Sequence, residues 1–297
     1  MRRRGILAAL GIGSAALALP GRAAPPVQDH DGAAFDRIPK ILWVWRTPLG
    51  ELPQVAEVMA RRGFRAALVS VPADERQRAD AIRRAVADFR ARGLAFFLVG
   101  GDPAWLADRG EAVPQGLAQL LRLAEEAGPF DGLALDVEPH SAPQWKDESQ
   151  RANLARAWVS VLGKAKAGTR RLGVELWAAI HPSQARTPGP GGGSMLLAGL
   201  REIDVAVTMA YRNQPQAAIG LAGPMMEDLA RARRSWWFGV TTQDGPDAAT
   251  ISYYGLPPQR FRAETVEIDA ALRAGPAGAG FRGIAVQHFA TARALLS

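Results

Sequence analysis

The chain of 297 residues contains no cysteine. That excludes disulfides, thiolate zinc sites and cysteine nucleophiles. A chain of this length buries a core large enough to hold without cross-links. Nor is there a basic block interleaved with aromatics, so the high pI gives no argument for a nucleic-acid partner. The formal net charge is +7, and Arg2, Arg3, Arg4 and Arg22 supply four of those charges, which leaves +3 for the remainder. The pairs Arg61-Arg62 and Arg83-Arg84, and the group Arg231, Arg233 and Arg234, fall on helix-like stretches and read as solvated faces. With 48% apolar and 22% charged residues, the composition is that of a folded globular chain.

The first residues differ from the rest. Met1-Arg2-Arg3-Arg4 is a basic start, Gly5 to Leu19 is uncharged and mostly apolar, and Gly21-Arg22-Ala23 supplies small residues where a signal peptidase cuts. Residues 1–23 are therefore expected to be a signal peptide, leaving no stable membrane span after processing. Arg2-Arg3-Arg4-Gly5-Ile6 also resembles a twin-arginine export signal, and the ordinary secretory reading stands beside it. The expected location is periplasmic or secreted. Residues 24–37, rich in proline, glycine and polar residues, are expected to be a linker, with residues 38–297 forming one catalytic domain.

Past the linker, short apolar runs alternate with helical-period stretches. Strands are expected over Ile41–Trp45, Phe64–Val71, Leu94–Val99, Phe130–Val137, Leu172–Ile180, Ile203–Tyr211, Ser235–Thr241 and Phe281–Phe289. Helices are expected near 51–62, 75–91, 114–127, 147–166, 194–201, 224–234 and 262–274, with a final turn near 290–296. Pro114 and Pro224 read as helix openers. Eight strand–helix units in this length predict an α/β fold, a single (β/α)8 TIM barrel. An open doubly wound sheet would carry a glycine-rich phosphate turn after its first strand, where Arg46-Thr47-Pro48-Leu49-Gly50 stands instead. The run Gly191-Gly192-Gly193 follows no strand directly and reads as a loop.

In such a barrel, chemistry sits at the C-terminal strand ends. The fourth strand ends Gly132-Leu133-Ala134-Leu135-Asp136-Val137-Glu138. Its period of two sends Leu133, Leu135 and Val137 toward the helices, and Ala134, Asp136 and Glu138 into the mouth. Two carboxylates on one face of a buried strand are costly unless they have a task or a cation. The run Asp131-Gly132-Leu133-Ala134-Leu135-Asp136-Val137-Glu138 resembles the family-18 glycoside hydrolase motif, with Ala134 where the family has a middle aspartate. Met209-Ala210-Tyr211 resembles that family's Met-x-Tyr, followed here by Arg212. More closely, these runs and the late Val286-Gln287-His288-Phe289 look like an uncharacterised group of glycosidase-like barrels.

The resemblance implies a glycosidase acting on a polysaccharide or glycan without a cofactor. Glu138 would be the general acid, Asp136 its assisting carboxylate or a guide for an acetamido group, and Tyr211 a stabiliser of developing charge. Because Asp136 and Glu138 approach from the same side, they do not flank a bond as an ordinary retaining or inverting pair does. Either the substrate supplies its own nucleophile or another strand supplies a carboxylate, and Glu175 is the candidate, although its position well before the strand end suggests a buried partner role instead. The absent middle aspartate leaves Asp136 with one fewer charged neighbour, which lessens any like-charge rise in its pKa.

Other expected substrate contacts are Trp45, Asp102, His140, Trp145, Trp177, Arg212, Gln243, Gln287 and His288, with weaker support for Arg46. Tryptophan faces stack on sugars, although each is equally suited to core packing. His140, His181 and His288 with the carboxylates keep a metal-dependent hydrolase open as a rival, but no His-x-His ends the first strand and no metal is expected. A carbohydrate-binding barrel without catalysis is the other rival. Sugar identity, linkage and oligomeric state are written in none of these motifs.

Overall fold

The computed structural model describes residues 30–108, 111–276 and 278–296. The signal peptide expected over residues 1–23 lies outside them. Among the described residues, eight parallel strands close into a barrel in sequence order. They are β1 (Lys40–Val44), β2 (Phe64–Val69), β3 (Ala95–Gly100), β4 (Gly132–Leu135), β5 (Glu175–Ile180), β6 (Val205–Thr208), β7 (Ser235–Thr241) and β8 (Phe281–Gln287). Around them run α1 (His30–Arg37), α2 (Leu52–Arg61), α3 (Ala79–Ala91), α4 (Gln115–Ala127), α5 (Glu148–Leu172), α6 (Pro182–Arg186), α7 (Met195–Gly199), α8 (Pro215–Ala232), α9 (Ala248–Ile251), α10 (Pro258–Ala274) and α11 (Phe289–Leu296). None of these helices is long and apolar enough to cross a membrane.

Strand alternation divides the core into two layers. Leu42, Val44, Leu133, Leu135, Val137, Ala206 and Phe238 pack outward against the helices. Ile41, Trp43, Phe97, Ala134, Trp177, Val205, Val207 and Trp237 fill the barrel interior. The large rings fit inside because alanines stand among them. Ala134 lies in register with Val99 on one side and Trp177 on the other. Trp177 packs on Phe97, with ring centroids 3.9 Å apart.

Two expectations change. Residues 30–37, within the expected linker, form α1, and Phe35 is fully buried against Phe261 of α10. The apolar ring of Phe35 outweighs its polar flanks. Pro224, expected to open a helix, lies inside α8, and Pro215 occupies the first turn. The short helices α6 and α9 were not expected, and the remaining differences are at element ends. The strands expected to reach Val137 and Tyr211 stop at Leu135 and Thr208, where the barrel flares and the ladder gives way to loops.

Candidate active site

Asp136 emerges one residue past β4. Its N–H donates to the Gly100 carbonyl at 2.9 Å, which continues the ladder and aims the side chain inward. The backbone here is so close to β3 that a Cβ on Gly101 would overlap the Asp136 carbonyl, so only glycine fits at that position. Asp136 Oδ1 is buried and has no hydrogen-bond partner. Burial first, and the Glu138 charge second, push its pKa up to about 7. The upward shift that Ala134 was expected to lessen is thus supplied mainly by burial.

Glu138 stands beside it with a side chain 31% exposed. Its Oε2 accepts a hydrogen bond from Ser141 Oγ at 2.8 Å and lies 3.9 Å from His140 Nε2. Tyr211, three residues past β6, completes the cluster. Burial, then the Asp136 and Glu138 charges, raise its phenol well above the ordinary value. Its ring is one wall around Gly239 of β7, where a Cβ would overlap the Thr208 carbonyl of β6 first and crowd the Tyr211 ring next.

Trp45, Arg46, Asp136, Gln243, Gln287 and His288 line one open cleft of about 490 Å³. Trp45 stacks on Trp43 beneath it, with ring planes 2° apart and centroids 5.4 Å apart. The peptide joining Gln287 and His288 is cis. Trp45 Nε1, Gln287 Oε1 and His288 Nδ1 are, like Asp136 Oδ1, buried and without a hydrogen-bond partner. Unpaired buried polar atoms cost free energy, and four of them around one cleft mark a place built to be satisfied by a polar ligand. Burial also lowers the pKa of His288, which favours the neutral ring.

The other expected contacts lie elsewhere. Trp177 is only 3% exposed, because its position midway along β5 places the inward side chain within the packed interior. Glu175 is the first residue of β5, at the barrel's far end, where its carboxylate accepts the Trp177 indole N–H at 2.9 Å. It offers nothing to the mouth. Trp145 packs against the helix layer, with the Arg151 guanidinium 5.6 Å over its ring. Asp102 caps the turn Pro103–Leu106 by accepting from the Ala104 N–H at 2.7 Å, and borders a separate crevice with Arg76 and Trp105. Arg212 donates to the Tyr211 carbonyl at 2.7 Å and so braces the tyrosine's backbone. His140 stacks on His181 beside Glu138 and does not line the cleft.

Asp131, the first acid of the motif, is structural. Its carboxylate accepts from the Phe96 N–H at 2.8 Å and pairs with Arg90 at 3.1 Å. The sequence reading missed Ser141, whose signal was a hydroxyl three residues after Glu138, within reach of a side chain that turns back on its own loop. Among the described residues, no three His, Asp or Glu side chains are grouped so as to hold a metal ion.

No protein-family model and no curated protein sequence matches the chain. Solved structures do. A GH18 chitinase from Pseudoalteromonas aurantia superposes with TM-score 0.59 at 14% identity, over 86% of this chain and 97% of that one. The spore cortex-lytic enzyme SleL of Bacillus megaterium QM B1551 gives 0.52 at 13%, over 87% and 72%. An endo-beta-N-acetylglucosaminidase from Cordyceps militaris gives 0.50 at 14%, over 89% and 87%. At these identities the likeness is one of fold, and the fold is the chitinase-like TIM barrel.

Proposed function

We propose that the protein is a glycoside hydrolase that cleaves a glycan at the mouth of the barrel, with Glu138 as general acid. The observation that carries this reading is Asp136: a carboxylate with an unpartnered buried oxygen in an open cleft, electrostatically coupled to Glu138. Below about pH 7 it holds a proton and can donate a hydrogen bond to a sugar substituent. Asp136 lines the cleft, and the carboxylate that acts on it, Glu138, follows two residues later on the same strand end, so both approach from one side. With Glu175 at the far end, an opposing protein nucleophile has no source there, which favours a substrate that supplies its own.

An acetamido sugar meets that need. Its carbonyl oxygen attacks the anomeric carbon while the bond to the leaving oxygen breaks. The electron pair goes to that oxygen, which takes the proton from Glu138. Water then opens the cyclic intermediate and returns a proton to Glu138. Asp136 would hold the acetamido N–H or oxygen in line, Tyr211 would donate to the developing charge, and Trp45 would pack against a sugar ring. The Cordyceps structure is that of an endo-beta-N-acetylglucosaminidase, an enzyme named for an acetamido sugar, which accords with this choice.

The test is turnover of a panel of oligosaccharides, chitin fragments included. Glu138→Gln is expected to lower kcat by about a thousandfold with little change in binding. Equal turnover by parent and variant defeats the reading, and binding without cleavage by the parent supports a carbohydrate-binding barrel instead. Export is proposed on residues 1–23, and N-terminal sequencing of protein recovered outside the cytoplasm tests it.

A further inference from the structure

Two histidines beside the cleft have no part in the reaction as written. His140 belongs to the turn Pro139–Ser141 after β4, and His181 immediately precedes α6. Their rings lie face to face, centroids 3.7 Å apart and planes 15° apart. His181 also caps α6: its Nδ1 accepts from the Ser183 backbone N–H at 3.2 Å, and its own N–H donates to Gln184 Oε1 at 2.8 Å. Nδ1 also lies 2.9 Å from Ser183 Oγ, which can donate to it, and a ring nitrogen that accepts carries no proton, so these contacts favour the neutral tautomer with hydrogen on Nε2. Burial, with His140 and Arg186 nearby, pushes its pKa down to about 4, in agreement.

The His140 ring therefore rests on an uncharged face held by the chain's own cap. Its Nε2 lies 3.9 Å from Glu138 Oε2, and Ser141 donates to that same oxygen. Both contacts fall on Oε2, and Oε1 carries neither. A separation of 3.9 Å is long for a hydrogen bond, but such contacts tighten when substrate closes a site.

We propose that His140 is a positioning residue: stacked on His181 and working with Ser141, it holds the Oε2 edge of Glu138, so that Oε1 is the oxygen presented to the glycosidic bond. This rests on the reading of Glu138 as general acid. The charged and titratable groups around the pair are Glu138 on the same loop, and Arg186 at the end of α6; the Glu138 charge in turn acts on Asp136 and Tyr211. For His140, burial lowers the pKa and the Glu138 carboxylate opposes that.

Imidazole nitrogen NMR on the full chain reads this arrangement without turnover. His181 is expected to keep Nδ1 unprotonated down to about pH 5. Glu138→Gln is expected to lower the proton affinity of His140 about threefold or more, because the carboxylate that favours its cation is gone. His181→Asn retains a good cap but removes the ring, and the Glu138 effect on His140 should shrink in that background. An ordinary His181 midpoint near 6.5, or a His140 midpoint unmoved by Glu138→Gln, overturns the proposal. On chitotetraose, His140→Asn is expected to lower kcat about tenfold with KM within about twofold, and an unchanged kcat counts against positioning. A protein whose rings are coupled as described but which cleaves no glycan defeats the hydrolase reading alone; cleavage without that coupling defeats the positioning role alone.

Discussion

Asp136 carries a buried carboxylate oxygen without a hydrogen-bond partner, and burial favours its neutral form. Its folded pKa of about 7 lies above the ordinary 3.8. The folded state therefore holds a proton that the unfolded chain has released, and stability falls as pH rises between these values. The contribution is complete below about pH 4 and lost as pH passes 7. Asp136→Asn keeps the shape and removes the ionisation. Its melting point is expected to match the parent's near pH 4 and to exceed it at pH 8, by on the order of 1–3 kcal/mol in stability. Melts at the two pH values check this, and a variant no more stable at pH 8 contradicts the assigned protonation. Turnover that depends on the same proton should decline only as pH passes about 7.

Elements are joined beneath the site by a repeated device. Asp131, just before β4, accepts from the Phe96 N–H of β3 and pairs with Arg90 of α3. Asp204, just before β6, accepts from the Leu176 N–H of β5 at 2.8 Å and pairs with Lys166 of α5. Each carboxylate ties a strand to its neighbour and to the helix that precedes it. Burial would raise the Asp204 pKa, but the Leu176 amide and Lys166 together hold it below the ordinary range. Asp131→Ala leaves a strand N–H and a guanidinium without their partner, and is expected to cost about 1–3 kcal/mol by denaturant unfolding with KM unchanged. Gly239→Ala acts at the other end: its Cβ would overlap the Thr208 carbonyl of β6 and crowd the Tyr211 ring, so stability and kcat should both fall, as paired melts and kinetics would reveal. The motif made Asp131 and Asp136 look alike. Only their ends of the strand separate a staple from a reacting group.

For the molecule as a whole, closure extends to the segment before the barrel. Phe35 of α1 is fully buried, and the fully buried Lys40 Nζ donates to the Phe35 and Ile38 carbonyls while lying 4.5 Å over the Phe35 ring. Burial lowers the Lys40 pKa to about 8. Phe35→Ala empties that space and is expected to cost about 3–5 kcal/mol, measured by denaturant unfolding. A loss under 1 kcal/mol would mean that α1 adds little to the closed barrel.

Periodicity was enough for the barrel, because alternation along a strand and 3.6-residue spacing along a helix are local and each segment carries its own pattern. It also put Asp136 on the inward face, where it lines the cleft, since direction along a strand has a period of two. Height along the barrel axis is not local. Trp177 and Glu175 share the inward face of β5, yet the packed interior and the far end claim them, while Trp45 reaches the mouth. Which polar atoms are left unpaired, and so which residues form a site, depended on how neighbouring strands and loops close around them, and that is decided only when the tertiary structure forms.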